Sequence, residues 1–167
     1  MGMSVIISAA DAEDAEQILK LQYLGYQAEA ELYGDWSIDP LTQSLESLRA
    51  ELAEQRFLVA RLGDEVVGTV RGRVDGDGIG RIGRLVVHPR MQRHGLGGRL
   101  LDALERRLVE DGRPLTAYRL FTGHRSLGNL RLYARQGYRQ AGVEQVTSRL
   151  SVVHLEKPVS SPFAATA

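Results

Sequence analysis

Between Leu85 and Leu101 the chain carries residue types that together can hold an anion. Leu85, Val86 and Val87 are apolar and partly β-branched, as a strand core requires. Pro89 cannot donate to a sheet ladder, so the strand ends before it. Gly95, Gly97 and Gly98 then leave the backbone bare, and Leu100, Leu101, Leu104 and Leu108 recur at helical spacing. Free N–H groups at a helix start and the helix dipole both attract negative charge. Arg90, Arg93, His94 and Arg99 surround the loop with side-chain donors. The chemistry predicted is the holding of a phosphate or pyrophosphate.

Two common phosphate loops do not fit. A nucleotide-binding Gly-Lys-Ser/Thr loop needs a lysine, and Lys20 and Lys157 both lie far from the segment. A dinucleotide fingerprint needs a third glycine where this chain has Leu100. The pattern Gln92-x-x-Gly95-x-Gly97, after a strand ending in His88-Pro89, resembles the coenzyme A loop of the GNAT acetyltransferases. A second stretch, Asn129 to Tyr138, resembles that family's other signature: an Asn, then a Leu-Tyr pair, then Gly-Tyr. Asn129 and Tyr133 are four apart and share one helix face, Leu130 and Leu132 can turn to the core, and Gly137 stands where a C-terminal glycine cap belongs.

The resemblance implies an N-acetyltransferase that takes acetyl-CoA as co-substrate and a small-molecule or peptide amine as acceptor. It places the cofactor in a cleft between two splayed parallel strands, here those ending at Val87 and Phe121. Leu85, Val86 and Val87 would follow the pantetheine arm. Gln92, Arg93, His94, Gly95, Leu96, Gly97, Gly98 and Arg99 would surround the pyrophosphate, with Asn129 and Tyr133 completing the site. An N–H near Val87 would polarise the thioester carbonyl. Tyr133 aligns with the tyrosine that protonates the departing thiolate, and the amine attacks directly with both substrates held together.

Many relatives carry a Glu on the strand before the loop, whereas Arg81 to Val87 contains no carboxylate. Glu29, Glu31 and His124 are the candidate bases in its place. Tyr26, Tyr33 and Trp36 either line an acceptor pocket or pack the first helices. A non-catalytic acyl-CoA sensor of the same fold is the alternative: the missing Glu favours it, and the retained Tyr133 favours an enzyme. Homodimers are frequent in the family.

The elements needed to position these residues read as β-α-α-β-β-β-α-β-α-β-β. The strands are 4–8, 57–62, 66–74, 79–87, 115–121, 138–145 and 149–155. The helices are 11–33, 41–54, one from the glycine loop to about residue 112, and one from about residue 126. Asp11 and Asp14 suit a capping box, and Ile18, Leu21 and Leu24 an apolar helix side. The fold class expected is α/β with the GNAT arrangement: a mixed, mostly antiparallel sheet of about seven strands, flanked by about four helices. Residues 1–157 read as a single domain and 158–167 as a mobile tail.

The chain has 167 residues, 21 basic and 21 acidic, and no cysteine, which excludes disulfides, a Cys nucleophile and a thiolate metal site. Residues 1–55 hold eleven acids against Lys20 and Arg49, so the later half is basic and suits a polyanionic cofactor, the first half a cationic amine. His88 and His94 have no carboxylate beside them, so no metal site is expected, and His154 reads as structural. Balanced charge and the lack of a stacking platform argue against nucleic acid. No apolar run is long enough for a membrane helix and no signal-peptide pattern opens the chain, so a cytoplasmic location is expected.

Overall fold

The computed structural model describes residues 4–160. Alternation of side chains builds its sheet. In β2 (Arg56–Leu62), Leu58 and Ala60 enter one core cluster while Phe57 and Val59 enter another on the opposite face. The other strands are β1 (Val5–Ala9), β3 (Glu65–Val74), β4 (Ile79–Val87), β5 (Ala117–Gly123), β6 (Arg139–Gln145) and β7 (Ser151–Pro158). They form one seven-stranded sheet in the order β1-β2-β3-β4-β5-β7-β6, antiparallel everywhere except between β4 and β5. This is the mixed α/β arrangement expected.

The parallel pair is short. Ile79, Gly80 and Arg81 register with Ala117, Tyr118 and Arg119, and beyond Arg81 the strands part. Both neighbours contribute to the parting. On one side, Thr69 of β3 opposes Val86 and Arg71 opposes Gly83, so Val70 faces two residues, Arg84 and Leu85. Such a bulge bends its strand and strengthens its twist, turning the second half of β4 away. On the other side β7 pairs with β5 along its whole length and keeps it on course.

Helices cover both faces. α1 (Ala15–Tyr33) follows a short 3-10 turn at Ala12–Asp14, where Asp11 and Asp14 close the capping box expected of them. Ile18 and Leu21 are buried as expected, but Leu24 is 40% exposed, because the helix turns it away from the sheet. The helix expected over residues 41–54 is broken into α2 (Asp39–Thr42) and α3 (Leu45–Glu54). Ser44 caps α3 by accepting from the Ser47 N–H at 3.1 Å, and Gln43 is extended. A serine able to cap competes with continuous helix, and that competition decides the break.

On the opposite face lies α4 (Leu96–Glu110), whose Leu100, Leu101, Leu104 and Leu108 are all fully buried. α5 (Leu127–Arg135) packs beside it. Glu105 ties α4 to the sheet: its carboxylate accepts from the Tyr138 hydroxyl at 2.9 Å and from Lys157 Nζ at 2.8 Å. The last strand runs further than the sequence suggests. Pro158 still pairs with Ala117, and the Val159 N–H reaches Thr116 O at 3.0 Å. Residues 161–167 of the expected tail lie outside the described residues. Among the described residues no helix is long and apolar enough to cross a membrane.

α1 crosses β4 so closely at Gly25 that a Cβ there would lie 2.4 Å from Val86 Cγ1. Val86 is β-branched and cannot swing aside freely. Gly25→Ala is therefore expected to destabilise by about 1–3 kcal/mol through overpacking, despite the better helix propensity of Ala. In a Val86→Ala background the clash is gone, and the same change should stabilise by about 0.5–1 kcal/mol. Urea denaturation of the four proteins checks the reversal of sign.

Candidate active site

The parting of β4 and β5 opens a cavity of about 1220 Å³, floored by Ile82–Val87 and Leu120–Gly123 and walled by α1 and α5. A single small ligand commonly occupies about 300–1,000 Å³, so there is room for two side by side. The His88 N–H donates to Val67 O at 2.8 Å on the β3 side. Strand alternation then turns the Val87 N–H towards the cleft. Gln92 Nε2 caps the Val87 carbonyl at 3.1 Å.

The chain next turns through two left-handed residues, Arg93 (φ 68°) and Gly95 (φ 75°). Gly95 is the N-cap of α4, and the first amide to bond back is that of Arg99, to Gly95 O at 3.2 Å. The N–H groups of residues 93 to 98 find no hydrogen-bonded carbonyl among the described residues. Two further glycines let α5 approach: a Cβ on Gly97 would meet Leu132 at 3.0 Å, and one on Gly98 would meet the Gln136 amide at 2.6 Å. A row of free donors thus caps one end of the cavity at a helix N-terminus, as anion binding requires.

α5 brings Asn129 and Tyr133 to the same cavity. Its end is fixed by a Schellman cap. The Tyr138 N–H donates to Tyr133 O at 3.0 Å, the Gly137 N–H to Ala134 O at 3.1 Å, and Gly137 takes φ 94°. The accompanying apolar contact is Tyr133 against Tyr138, edge to face at 6.1 Å. Tyr133 is thereby locked, and its hydroxyl makes no hydrogen bond to any described residue. Burial, reinforced by nearby Tyr26 and Glu29, pushes its pKa well above the ordinary tyrosine value. Asn129 Nδ2 is steadied by Thr122 Oγ1 at 3.1 Å.

Glu29 lines the cavity and ends a chain of hydrogen bonds. The Arg125 N–H donates to the Tyr33 hydroxyl at 2.9 Å, and the Ser126 hydroxyl donates to Glu29 Oε2 at 2.8 Å. A hydroxyl has one proton to give, so in the 2.8 Å contact between Tyr33 and Ser126 it is Tyr33 that donates. The sequence did not reveal this network, although Glu29 and Tyr33, four apart on one helix, carried the signal. Ser126 is drawn away from capping α5 with its side chain.

Five expected contributors lie elsewhere. Glu31 is exposed on the far side of α1 and does not line the cavity. His124 packs on Tyr33 at 5.8 Å, and its Nδ1 accepts from the Ser151 N–H at 3.0 Å, so it fastens β7 to β5 outside the cavity. The Arg99 guanidinium donates to Val5 O at 3.3 Å, on β1. The His94 side chain is exposed and does not line the cavity. Trp36 is 56% exposed and lines nothing, whereas Tyr26 and Tyr33 do line the cavity.

The bulge adds two cations that the sequence did not single out. Arg84 sits in the bulge at φ 54°, a conformation that normally falls to glycine, and Arg71 lies opposite on β3. Both line the cavity. Arg71 Nη1 forms an ion pair with Glu51 Oε1, and the guanidinium stacks 5.9 Å from the Phe57 ring. Arg84 Nη1 reaches only an amide oxygen, Gln43 Oε1, at 3.3 Å, and Gln22 donates to that same atom at 2.9 Å. Burial, and then the charge of Arg71, lower the pKa of Arg84.

Comparison with known proteins bears on this cavity. The family model described as Acetyltransferase (GNAT) family matches residues 16–138, well over half of the chain. Among solved structures, the chain is similar to an acetyltransferase of the GNAT family from Streptococcus pneumoniae: 20% identity, 94% of this chain and 100% of that one covered, TM-score 0.78. It is similar to the PaiA N-acetyltransferase of Thermoplasma acidophilum in complex with coenzyme A, at 19% identity, 94% and 100% coverage and TM-score 0.77. A third similar structure is the ribosomal-protein-S18-alanine N-acetyltransferase of Escherichia coli, at 17% identity, 95% and 96% coverage and TM-score 0.76. At these identities the structures share the fold.

The buried phenols have a measurable consequence. Burial raises Tyr26 to about 12 and pushes Tyr133 up as well. In the unfolded chain both titrate near 10. The folded state therefore holds these protons longer, and stability falls as pH rises above about 10. Denaturation midpoints measured from pH 8 to pH 11 should stay level and then drop, and the drop should be shallower in Tyr133→Phe.

Proposed function

Because this chain belongs to the GNAT acetyltransferase family, we propose that it transfers the acetyl group of acetyl-CoA to a primary amine by direct attack in a ternary complex. One observation carries the reading: the unpaired N–H groups of Arg93 and of Gly95 to Gly98 and the unpaired Tyr133 hydroxyl belong to one cavity. Acetyl-CoA supplies an acetyl group already activated as a thioester. The coenzyme A complex of the Thermoplasma protein supports that choice of co-substrate.

Each residue then has a defined task. The N–H groups of Arg93, His94, Gly95, Leu96, Gly97 and Gly98 hold the pyrophosphate, with the side chain of Arg93 beside them. The freed edge of β4 at Leu85, Val86 and Val87 hydrogen-bonds the pantetheine arm in place of β5. The Val87 N–H polarises the carbonyl that the amine attacks. Gln92 holds the Val87 carbonyl, and Asn129 fixes the cleft wall. Tyr133 keeps its proton across the working pH range because burial raises its pKa, and it gives that proton to the leaving sulfur. Glu29 accepts the proton of the attacking amine. One carboxylate oxygen is engaged by Ser126, and the other remains to receive it.

Tyr133→Phe is expected to lower kcat by roughly 10²–10⁴, with coenzyme A affinity by calorimetry unchanged. A variant with wild-type kcat would remove Tyr133 from the chemistry. Glu29→Gln should lose roughly 10²–10⁴ in kcat while Glu31→Gln keeps the wild-type rate, both followed by release of free thiol. Tight coenzyme A binding without thiol release across a broad panel of amines would instead establish the sensor reading.

A further inference from the structure

The acceptor half of the cavity contains two guanidiniums and one carboxylate in contact with them. On β3 Arg71 opposes Gly83, while Arg84 lies in the bulge next along β4, and Glu51 pairs with Arg71 alone. Asp39 also lines the cavity but makes no ion pair with either arginine. Asp35 is engaged by Ser37, whose N–H and hydroxyl donate to it at 2.9 Å and 2.6 Å. Arg71 is thus matched by Glu51, whereas Arg84 lines the cavity with no ion pair among the described residues, its Nη1 reaching only the Gln43 amide oxygen at 3.3 Å. A charged group held partly out of water is normally paired, so an arginine without a carboxylate leaves room for one. The backbone of Arg84 adds an independent sign. A non-glycine residue held at φ 54° is strained, and strain of this kind persists at ligand-binding positions.

On that footing, and resting on the acetyl-transfer reading above, we propose that Arg84, with Arg71 beside it, binds a carboxylate of the acceptor. The acceptor is then a small amine that carries a free carboxylate close to its reacting nitrogen, as a free amino acid does. A guanidinium fork suits a planar carboxylate, which can accept two parallel N–H bonds from it. The opposite end of such a molecule falls among Glu29, Tyr26 and Tyr133. These groups are mutually close: burial sets the pKa of Tyr26, and it responds next to Arg84, Glu29 and Arg71. The amine meets the acidic side chain, and the carboxylate meets the basic pair. This departs from the cationic acceptor that the acidic first helices suggest.

The test is a panel of L-amino acids, their C-terminal carboxamides and the corresponding decarboxylated amines, assayed with acetyl-CoA by thiol release. The amino acids should be the best acceptors, with kcat/KM about 10- to 100-fold above their carboxamides. Arg84→Gln should remove that preference, mainly by raising KM for the amino acid. Coenzyme A affinity by calorimetry should not change, and Arg84→Lys should recover part of the preference. Equal use of acids and carboxamides by the wild type would overturn the proposal, as would an equal loss on both in Arg84→Gln. If no amine is turned over although coenzyme A binds, acetyl transfer itself fails. The anion site is then decided by calorimetric titration of the coenzyme A-loaded protein. Selective binding of amino acids over carboxamides, lost in Arg84→Gln, supports it, and equal binding of the two refutes it.

Discussion

Two strand edges that face each other inside a protein must satisfy their backbone N–H and C=O groups or bear a cost of about 1–3 kcal/mol for each one left bare. The pair β4 and β5 meets this requirement for three residues and then abandons it. Everything distinctive about the molecule follows from that. The bulge that turns β4 away also sets Arg84 and Arg71 over the cavity. The same divergence frees the Val87 amide and leaves a gap that α4 and α5 border. The exposed edge is a template for an extended ligand with amide groups of its own, which is the logic of adding a strand.

Rigidity around the gap comes from contacts that permit no slack. Gly25 lets α1 settle on Val86, and Gly97 and Gly98 let α4 settle on α5. Glu105 then holds the middle of α4 to Tyr138 and Lys157, on the far bank of the cleft. The loop of free N–H groups is thus mounted on a helix whose apolar face is wholly buried. Donors fixed before a ligand arrives lose little freedom when it binds.

The fold and the glycine loop with its unpaired N–H groups were legible in the sequence because local rules decide both. Glycine spacing, Pro89 and the leucine repeat of α4 are short-range signals, and so is Gly137, which closes the Schellman cap on Tyr133. The acceptor end was not legible, because its contacts join residues far apart in the chain. Glu29 meets Ser126 across 97 positions, and Arg84 meets Gln43 across 41. The acids of the first half are partly spent in ion pairs with later arginines, Asp14 with Arg61 at 2.5 Å and Glu51 with Arg71, while Glu29, Asp35 and Asp39 line the cavity. The break at Gln43 escaped notice because a periodic leucine pattern continues through it, and only the capping geometry of Ser44 shows the stop.

The short turn at Arg125 and Ser126 has more influence than its length suggests. Ser126 stands at the N-cap of α5, where its hydroxyl would ordinarily bond a free amide of the first turn, a contact of about 0.5–2 kcal/mol. It bonds Glu29 instead, while its carbonyl still accepts from the Leu130 N–H at 3.0 Å and begins the helix. One residue thereby fixes the start of the helix that carries Tyr133 and the direction of the carboxylate opposite. The N-terminal end of α5 lies beside that carboxylate, and its dipole favours a negative charge there. In the proposed reaction Tyr133 is the acid and Glu29 the base, and two groups on separate helices would otherwise drift independently. Joined through Tyr33, Ser126 and the Arg125 amide, they keep one spacing, and proton transfer at both ends of an acyl transfer depends on it.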